Sequence, residues 1–222
     1  MLAMSSTLAL AENSSISRFL EIQNQFIGPV VQHAVEACQL FYIPAILREG
    51  WALYMWDMLQ RVIHIIAPSI GGGVWNAEQK EWHELIASRL HDALFQCLED
   101  FFAVWPTPKE NWSTKFPQLF DTAFTREETG YCVMHTIRCH DGDKLRVPIT
   151  RDTLKTTKLC ALQDAMKLQG NQSSLPADAI WQNAMSSSCR ATSSSLSAAI
   201  LGTRAGSAIV DAMATLLAHA ST

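Results

Sequence analysis

A short run of cysteines and histidines holds the densest set of potential metal ligands in the chain. It has the form Cys132-x2-His135-x3-Cys139-His140, and thiolate and imidazole are the usual protein ligands of zinc. The surrounding YCVMHTIRC segment is rich in β-branched and aromatic residues, which favours a strand. Side chains alternate along a strand, so Cys132 and His140 would face away from the other two. We therefore predict packed hairpin residues here, with no metal and no cofactor.

Histidines and one glutamate are the candidates for acid–base catalysis. Glu84 and His91 stand two turns apart on a predicted helix, and a carboxylate and an imidazole on one face can act as general acid and base. His33 and His64 lie on other predicted helices and could line a polar pocket. No Gly-x-Ser-x-Gly elbow of a serine hydrolase occurs. An enzyme using these four residues is the first alternative, while surface or structural hydrogen-bonding roles are favoured.

Basic residues between positions 138 and 167 suggest an anion-binding site. They could contact phosphate groups of a nucleic acid, but acidic residues are interleaved among them, which favours an ordinary solvated surface. Nucleic-acid binding is therefore a second alternative and is not favoured. The candidate residues are Arg138, Lys144, Arg146, Arg151, Lys155 and Lys158.

Small residues near the carboxyl end offer a packing surface. Ala198, Gly202 and Gly206 are spaced four residues apart, so on a helix they would share a face that another backbone can approach closely. A protein partner, with a second copy of the chain as the leading choice, is the predicted occupant.

The elements that would position these residues are mainly helical. Apolar residues recur at three- and four-residue steps from about Ala45 to Ala67 and from Asn76 to Phe102, which predicts two amphipathic helices. Asp141-Gly142 is a turn signal within 131–149, which predicts one β-hairpin. Thr150 or Asp152 could begin a further helix ending near Leu168.

Composition restricts the class of protein. Hydrophobic residues make up 48% of the 222 residues and charged residues 17%, so a folded chain that associates with itself is expected. The net charge of −4 does not indicate a nucleic-acid binder. The amino-terminal segment lacks the basic start of a signal peptide, and the two best candidates for a membrane span, Phe26 to Leu47 and Trp51 to Ile70, contain charged residues. We expect an intracellular, cytoplasmic chain with no membrane span and with reduced thiols.

The fold class that follows is mainly α: a multi-helix bundle-like domain with one small β-hairpin near 131–149. Residues 1–13 would be a flexible leader, 14–118 a helical core, and 119–222 the hairpin plus carboxyl-terminal helices packed on the same domain. The leading functional interpretation is a non-enzymatic helical interaction or assembly protein that self-associates.

Overall fold

Three antiparallel strands follow one another directly at the start of the fold. They are seen in a computed structural model that describes residues 23–24, 26–27, 31, 34–141 and 144–166. The strands are β1 (Leu40–Leu47), β2 (Gly50–Asp57) and β3 (Val62–Ile66). In register, Leu47 pairs with Gly50 and Asp57 pairs with Val62, so each connection is a short hairpin turn.

A long helix and a short fourth strand come next. Helix α1 spans Ala77–Phe101, and β4 spans Ser113–Lys115 and pairs in parallel with β3. The sheet is therefore mixed, in the order β1-β2-β3-β4. Asn76 begins α1 with a capping box: its side chain accepts from the Gln79 N–H, while the Gln79 side chain accepts from the Asn76 N–H. The predicted helix from Asn76 to Phe102 is confirmed.

Two further helices complete the described part of the chain. Helix α2 spans Arg126–Cys139 and also begins with a capping box, formed by Thr125 and Glu128. Helix α3 spans Arg151–Met166. The predicted start of this last helix at Thr150 agrees with the hydrogen bond of 2.9 Å from the Leu154 N–H to the Thr150 carbonyl.

The apolar core has two parts, one on each face of the sheet. On one face Tyr54 and Trp56 pack with Leu90 and Leu94 of α1. On the other face, residues of β2 and β3 pack with α2 and α3; the buried members include Trp51, Leu53, Ile66, Met134, Ile137 and Leu154. Strand β2 lies between the two parts, and all eight of its residues are buried.

The prediction of a mainly α, bundle-like, all-helical fold is wrong, because the described residues contain a four-stranded mixed sheet and three α-helices. The predicted helix from Ala45 to Ala67 is in fact the end of β1 followed by all of β2 and β3. A strand buried on both faces loses the apolar–polar alternation by which strands are recognised. Its unbroken apolar run fitted a helical stripe equally well. Pro44 lies in the edge strand β1, where proline is tolerated.

The predicted β-hairpin near 131–149 is also wrong. Helix α2 covers its first half, and residues 129–137 are buried apart from the half-buried Tyr131. Packing against the sheet and the capping box outweigh the local strand preference of the segment. Only an isolated bridge between His140 and Leu145 resembles the expected hairpin. The predicted division of the chain at residues 13 and 118 stays a prediction.

Candidate functional site

The predicted acid–base residues do not come together. Side chains alternate across β3, with Ile63 and Ile65 facing α1, so His64 faces the side of α2. Glu84 and His91 belong to α1, on the opposite side of the sheet. His33 lies outside the described residues. The sheet itself therefore separates His64 from the other two candidates.

His91 has both ring nitrogens occupied. The indole N–H of Trp56 donates to Nδ1 at 3.1 Å, and Nε2 donates to the Lys109 carbonyl at 2.9 Å. Burial is the main reason that the pKa of His91 is lowered from its usual value. Glu84 accepts a hydrogen bond of 3.0 Å from the hydroxyl of Thr114 in β4. Both side chains attach the 103–115 segment to α1.

A buried tyrosine–histidine pair lies close to the amino-terminal end of α1. The Tyr54 hydroxyl and His83 Nδ1 share a hydrogen bond of 2.8 Å, and Trp75 packs edge-on against the imidazole. Burial lowers the pKa of His83 to about 4. Burial also raises the pKa of Tyr54, with a further contribution from the charge of Glu49. Both groups are therefore neutral near pH 7. Neither residue was among the candidates predicted from the sequence.

Asp57 and His64 point to the same face of the sheet, and each retains one buried side-chain atom without a hydrogen-bond partner among the described residues. Asp57 Oδ1 accepts from the N–H groups of Leu59 and Gln60 at 2.9 Å each, which fixes the turn after β2. Asp57 Oδ2 and His64 Nε2 have no hydrogen-bond partner among those residues. Burial, followed by the charges of His140 and Lys115, lowers the pKa of His64, and the charge of Asp57 opposes that effect.

The four potential metal ligands lie on and just after α2 rather than on a strand. The alternation of side chains along a strand, which was the reason to expect no metal here, therefore does not apply. His135 Nε2 donates to the Val147 carbonyl at 2.9 Å, and Nδ1 lies 2.9 Å from the Thr157 hydroxyl. Burial raises the pKa of Cys132 to about 12 and also raises that of Cys139, which keeps both thiols protonated. Among the described residues no three His, Cys, Asp or Glu side chains are placed to hold a metal ion.

Most of the predicted anion-binding cations are already paired with acids of the same chain. Glu128 contacts Arg151 at 2.8 Å and Lys158 at 3.4 Å. Burial acts to raise the pKa of Glu128, but hydrogen bonds from the Thr125 N–H, Arg151 and Lys158 outweigh it and lower the pKa. Lys155 pairs with Asp152 at 3.0 Å and Arg146 pairs with Asp141 at 3.6 Å. Arg138 is half-buried and Lys144 is exposed.

An exposed apolar pair stands on the outer face of α1. Trp82 is 53% exposed and Leu85 is 48% exposed, and residues three apart on a helix are surface neighbours. Glu78 and Glu81 lie beside them on the same exposed side. We call these four residues the α1 outer face. Trp82 and Leu85 thus lie outside the buried side of this helix.

Several other expectations have definite outcomes. Ala198, Gly202 and Gly206 lie outside the described residues. Within the described part of the chain, no helix has the length and apolar character needed to cross a membrane. Among the described cysteines, Cys38, Cys97, Cys132 and Cys139 are free, but Cys160 is disulfide-bonded, which corrects the expectation that all thiols are reduced.

Comparison of the chain with protein-family models, with curated proteins and with solved structures gives no match.

The contacts that the sequence did not predict share one property: they join residues that are far apart along the chain. Tyr54 and His83 are 29 residues apart, and Trp56 and His91 are 35 apart. Tyr54 and Trp56 fall within the segment 45–67, which was predicted to be a helix. Under that prediction, no sequence pattern indicates that they contact His83 and His91 of α1. The exposure of Trp82 could have been inferred from its glutamate neighbours, since Glu78 and Glu81 share its side of the helix.

Proposed function

We propose that this chain is a non-enzymatic protein-binding domain, and that its partner docks on the α1 outer face. The observation that carries the proposal is the exposure of Trp82 beside Leu85. Tryptophan is among the residues most enriched at the energetic centres of protein interfaces. A side chain this large, half exposed on a regular helix, leaves a considerable apolar area in water that a partner would cover.

The helix that carries this surface is held firmly. Its opposite side, including Ile86, Leu90 and Leu98, is buried against the sheet. The capping box at Asn76 fixes its first turn, close to Trp82. Trp82 is therefore presented on a backbone that needs little ordering on binding, which favours affinity.

The state of the histidines and cysteines supports a binding role over the enzyme alternative. His83, His91 and His135 are engaged in internal hydrogen bonds and have lowered pKa values. The free cysteines have raised pKa values, so they are poor nucleophiles. The anion-binding alternative is weakened by Glu128, which already contacts both Arg151 and Lys158 within the chain and offsets part of their charge.

Site-specific photocrosslinking tests the proposal. A photoreactive amino acid at Leu85 should form a covalent adduct with another protein in cells that express the chain. Glu99 is the matched control, because it is exposed on the same helix about 21 Å away at a rise of ~1.5 Å per residue. Trp82→Ser should reduce the adduct from position 85 at least tenfold. Equal adducts from positions 85 and 99, or none from position 85, would contradict the proposal.

A further inference from the structure

The six cysteines of this chain divide into two groups. Cys160, near the carboxyl-terminal end of α3, is disulfide-bonded. The other four that the structure describes have free thiols: Cys38, Cys97, Cys132 and Cys139. A disulfide requires a second sulfur, and Cys189, outside the described residues, is the one cysteine of the chain that remains. Elimination therefore identifies the partner of Cys160 within the chain.

We propose that Cys160 and Cys189 of the same chain form a disulfide that ties the end of α3 to the chain beyond it. The bond closes a loop over residues 160–189. Without it, the intervening chain could carry the two Cα atoms up to about 100 Å apart, at ~3.4 Å per residue. With it, those atoms lie about 5.5–6 Å apart. The disulfide is therefore a covalent tether for the chain that follows α3.

The four free thiols are poorly suited to compete for this bond. Burial raises the pKa of Cys97 and of Cys132 to about 12. Burial also raises the pKa values of Cys38 and Cys139. A thiol must be deprotonated to attack a disulfide, so these four stay protonated and inert near neutral pH. The pairing of Cys160 is therefore left undisturbed.

The core holds α3 in place independently of the tether. Leu154 and Ala161 place the buried side of the helix in the core that it shares with α2. Across the same contact, His135 Nδ1 and the Thr157 hydroxyl share a hydrogen bond of 2.9 Å. Neither contact involves the side chain of Cys160, which is half-buried. Breaking the disulfide therefore releases the following chain while α3 stays packed.

The tether is opened by a dithiol reductant such as dithiothreitol. One thiolate of the reductant attacks a sulfur of the bond, the S–S bond breaks, and one cysteine leaves as a thiolate while the other is held in a mixed disulfide. The second thiol of the reductant then displaces the other cysteine. Two electrons and two protons pass to the protein, which ends with two thiols, and the reductant ends as a disulfide.

Peptide mapping without prior reduction tests the pairing in the unmodified chain. The protein is denatured, its free thiols are alkylated, and it is then digested. Trypsin cleaves after lysine and arginine, so the two cysteines fall in separate peptides, 159–167 and 168–190. Mass spectrometry should find these peptides joined and the other four cysteines alkylated. Dithiothreitol added before alkylation should separate the pair and leave all six cysteines alkylated.

Two variants distinguish this pairing from any other. Cys189→Ser should leave Cys160 alkylated without prior reduction, because its partner is gone. Cys139→Ser is the matched control, since Cys139 is also half-buried at the end of a helix. In that variant peptides 159–167 and 168–190 should remain joined.

Reduction of the folded chain tests the independence of α3 from the tether. Dithiothreitol at neutral pH, without denaturant, should open the disulfide and leave the helical signal in circular dichroism unchanged. A loss of that signal would show that the bond supports the fold. A bond that resists the reductant until the chain is denatured would show that it is not a tether that can be released.

Three results of the mapping would overturn the pairing itself. Peptide 159–167 joined to a second copy of itself would assign the bond to a contact between chains. Peptide 159–167 joined to any of the four free cysteines would show that burial does not exclude them. An alkylated Cys160 in the unreduced, unmodified chain would show that no disulfide forms. None of these measurements involves the α1 outer face, so the proposed function stands or fails separately.

Discussion

The hydroxyl of Thr129 accepts a hydrogen bond of 2.8 Å from the backbone N–H of Trp51. It also donates to the Arg126 carbonyl at 2.6 Å. Thr129 lies in the first turn of α2 and Trp51 near the start of β2, 78 residues earlier. One buried hydroxyl thus attaches the helix to the central strand of the sheet, and it satisfies a backbone N–H that water cannot reach.

Replacing that hydroxyl should destabilise the fold. Thr129→Val keeps the shape of the side chain but leaves the buried N–H of Trp51 without a partner, which costs about 1–3 kcal/mol. Urea unfolding measures the loss. Thr129→Ser is the control, because it keeps the hydroxyl, and it should retain most of the stability. Equal losses in both variants would show that the hydrogen bond contributes nothing.

Gly50 packs directly against Thr129, and we expect Gly50→Ala to be strongly destabilising. A Cβ at position 50 would collide with the Thr129 side chain, and the φ of +125° disfavours any residue with a side chain. The expected loss is about 3 kcal/mol or more, from strain and overpacking together. Gly72→Ala is a matched control with φ of +67°, where the added Cβ would make only an ordinary contact of 3.8 Å with the Asp121 carbonyl oxygen. It should lose only about 1–2 kcal/mol in urea unfolding. Similar losses would show that the contact with Thr129 is unimportant.

These contacts also indicate which parts of the fold the sequence could predict. Helix α1 was predictable from end to end because it buries one side only and because Asn76 and Gln79 form its capping box within four residues. Strand β2 was not, because Trp51 and Leu53 face one helix layer while Tyr54 faces the other. An apolar run of this kind carries no period that separates strand from helix.

The polar sites were unpredictable for a related reason. A hydrogen bond such as that between Thr129 and Trp51 depends on the packing of α2 against β2, which no local pattern encodes. His64 and His91 were candidates for acid–base chemistry on residue type alone. Their positions on opposite sides of the sheet follow only from the correct assignment of β3.

The buried histidines should make the fold less stable in mild acid. Burial lowers the pKa of His83 from 6.5 to about 4 in the folded protein. The pKa values of His64, His91 and His135 are also lowered from 6.5. In the unfolded chain they bind protons below about pH 6.5. Their contribution to stability is therefore complete above pH 6.5 and is lost as the pH falls toward 4.

Urea unfolding between pH 7.5 and pH 5 measures this effect. Each histidine that stays neutral in the fold contributes a slope of up to about 1.4 kcal/mol per pH unit. His91→Gln should reduce the total slope, because it removes one titrating group while its amide can still accept from Trp56 or donate to the Lys109 carbonyl. A free energy of unfolding that is constant or rises as the pH falls through this window would contradict the prediction.

The pKa of His64 should respond in opposite directions to its two charged neighbours. The negative charge of Asp57 raises that pKa and the positive charge of Lys115 lowers it. Asp57→Asn should therefore lower the pKa of His64 further, while keeping an oxygen that accepts from the Leu59 and Gln60 N–H groups of the turn. Lys115→Gln, on the exposed end of β4, should raise it.

Nuclear magnetic resonance titration of the imidazole proton signals measures both shifts, with His64→Gln identifying the signal. A pKa that stays constant in both variants would show that neither charge reaches the imidazole. The two-sided response would instead establish the pair formed by Asp57 and His64 as an electrostatic unit, since burial alone gives no change of sign.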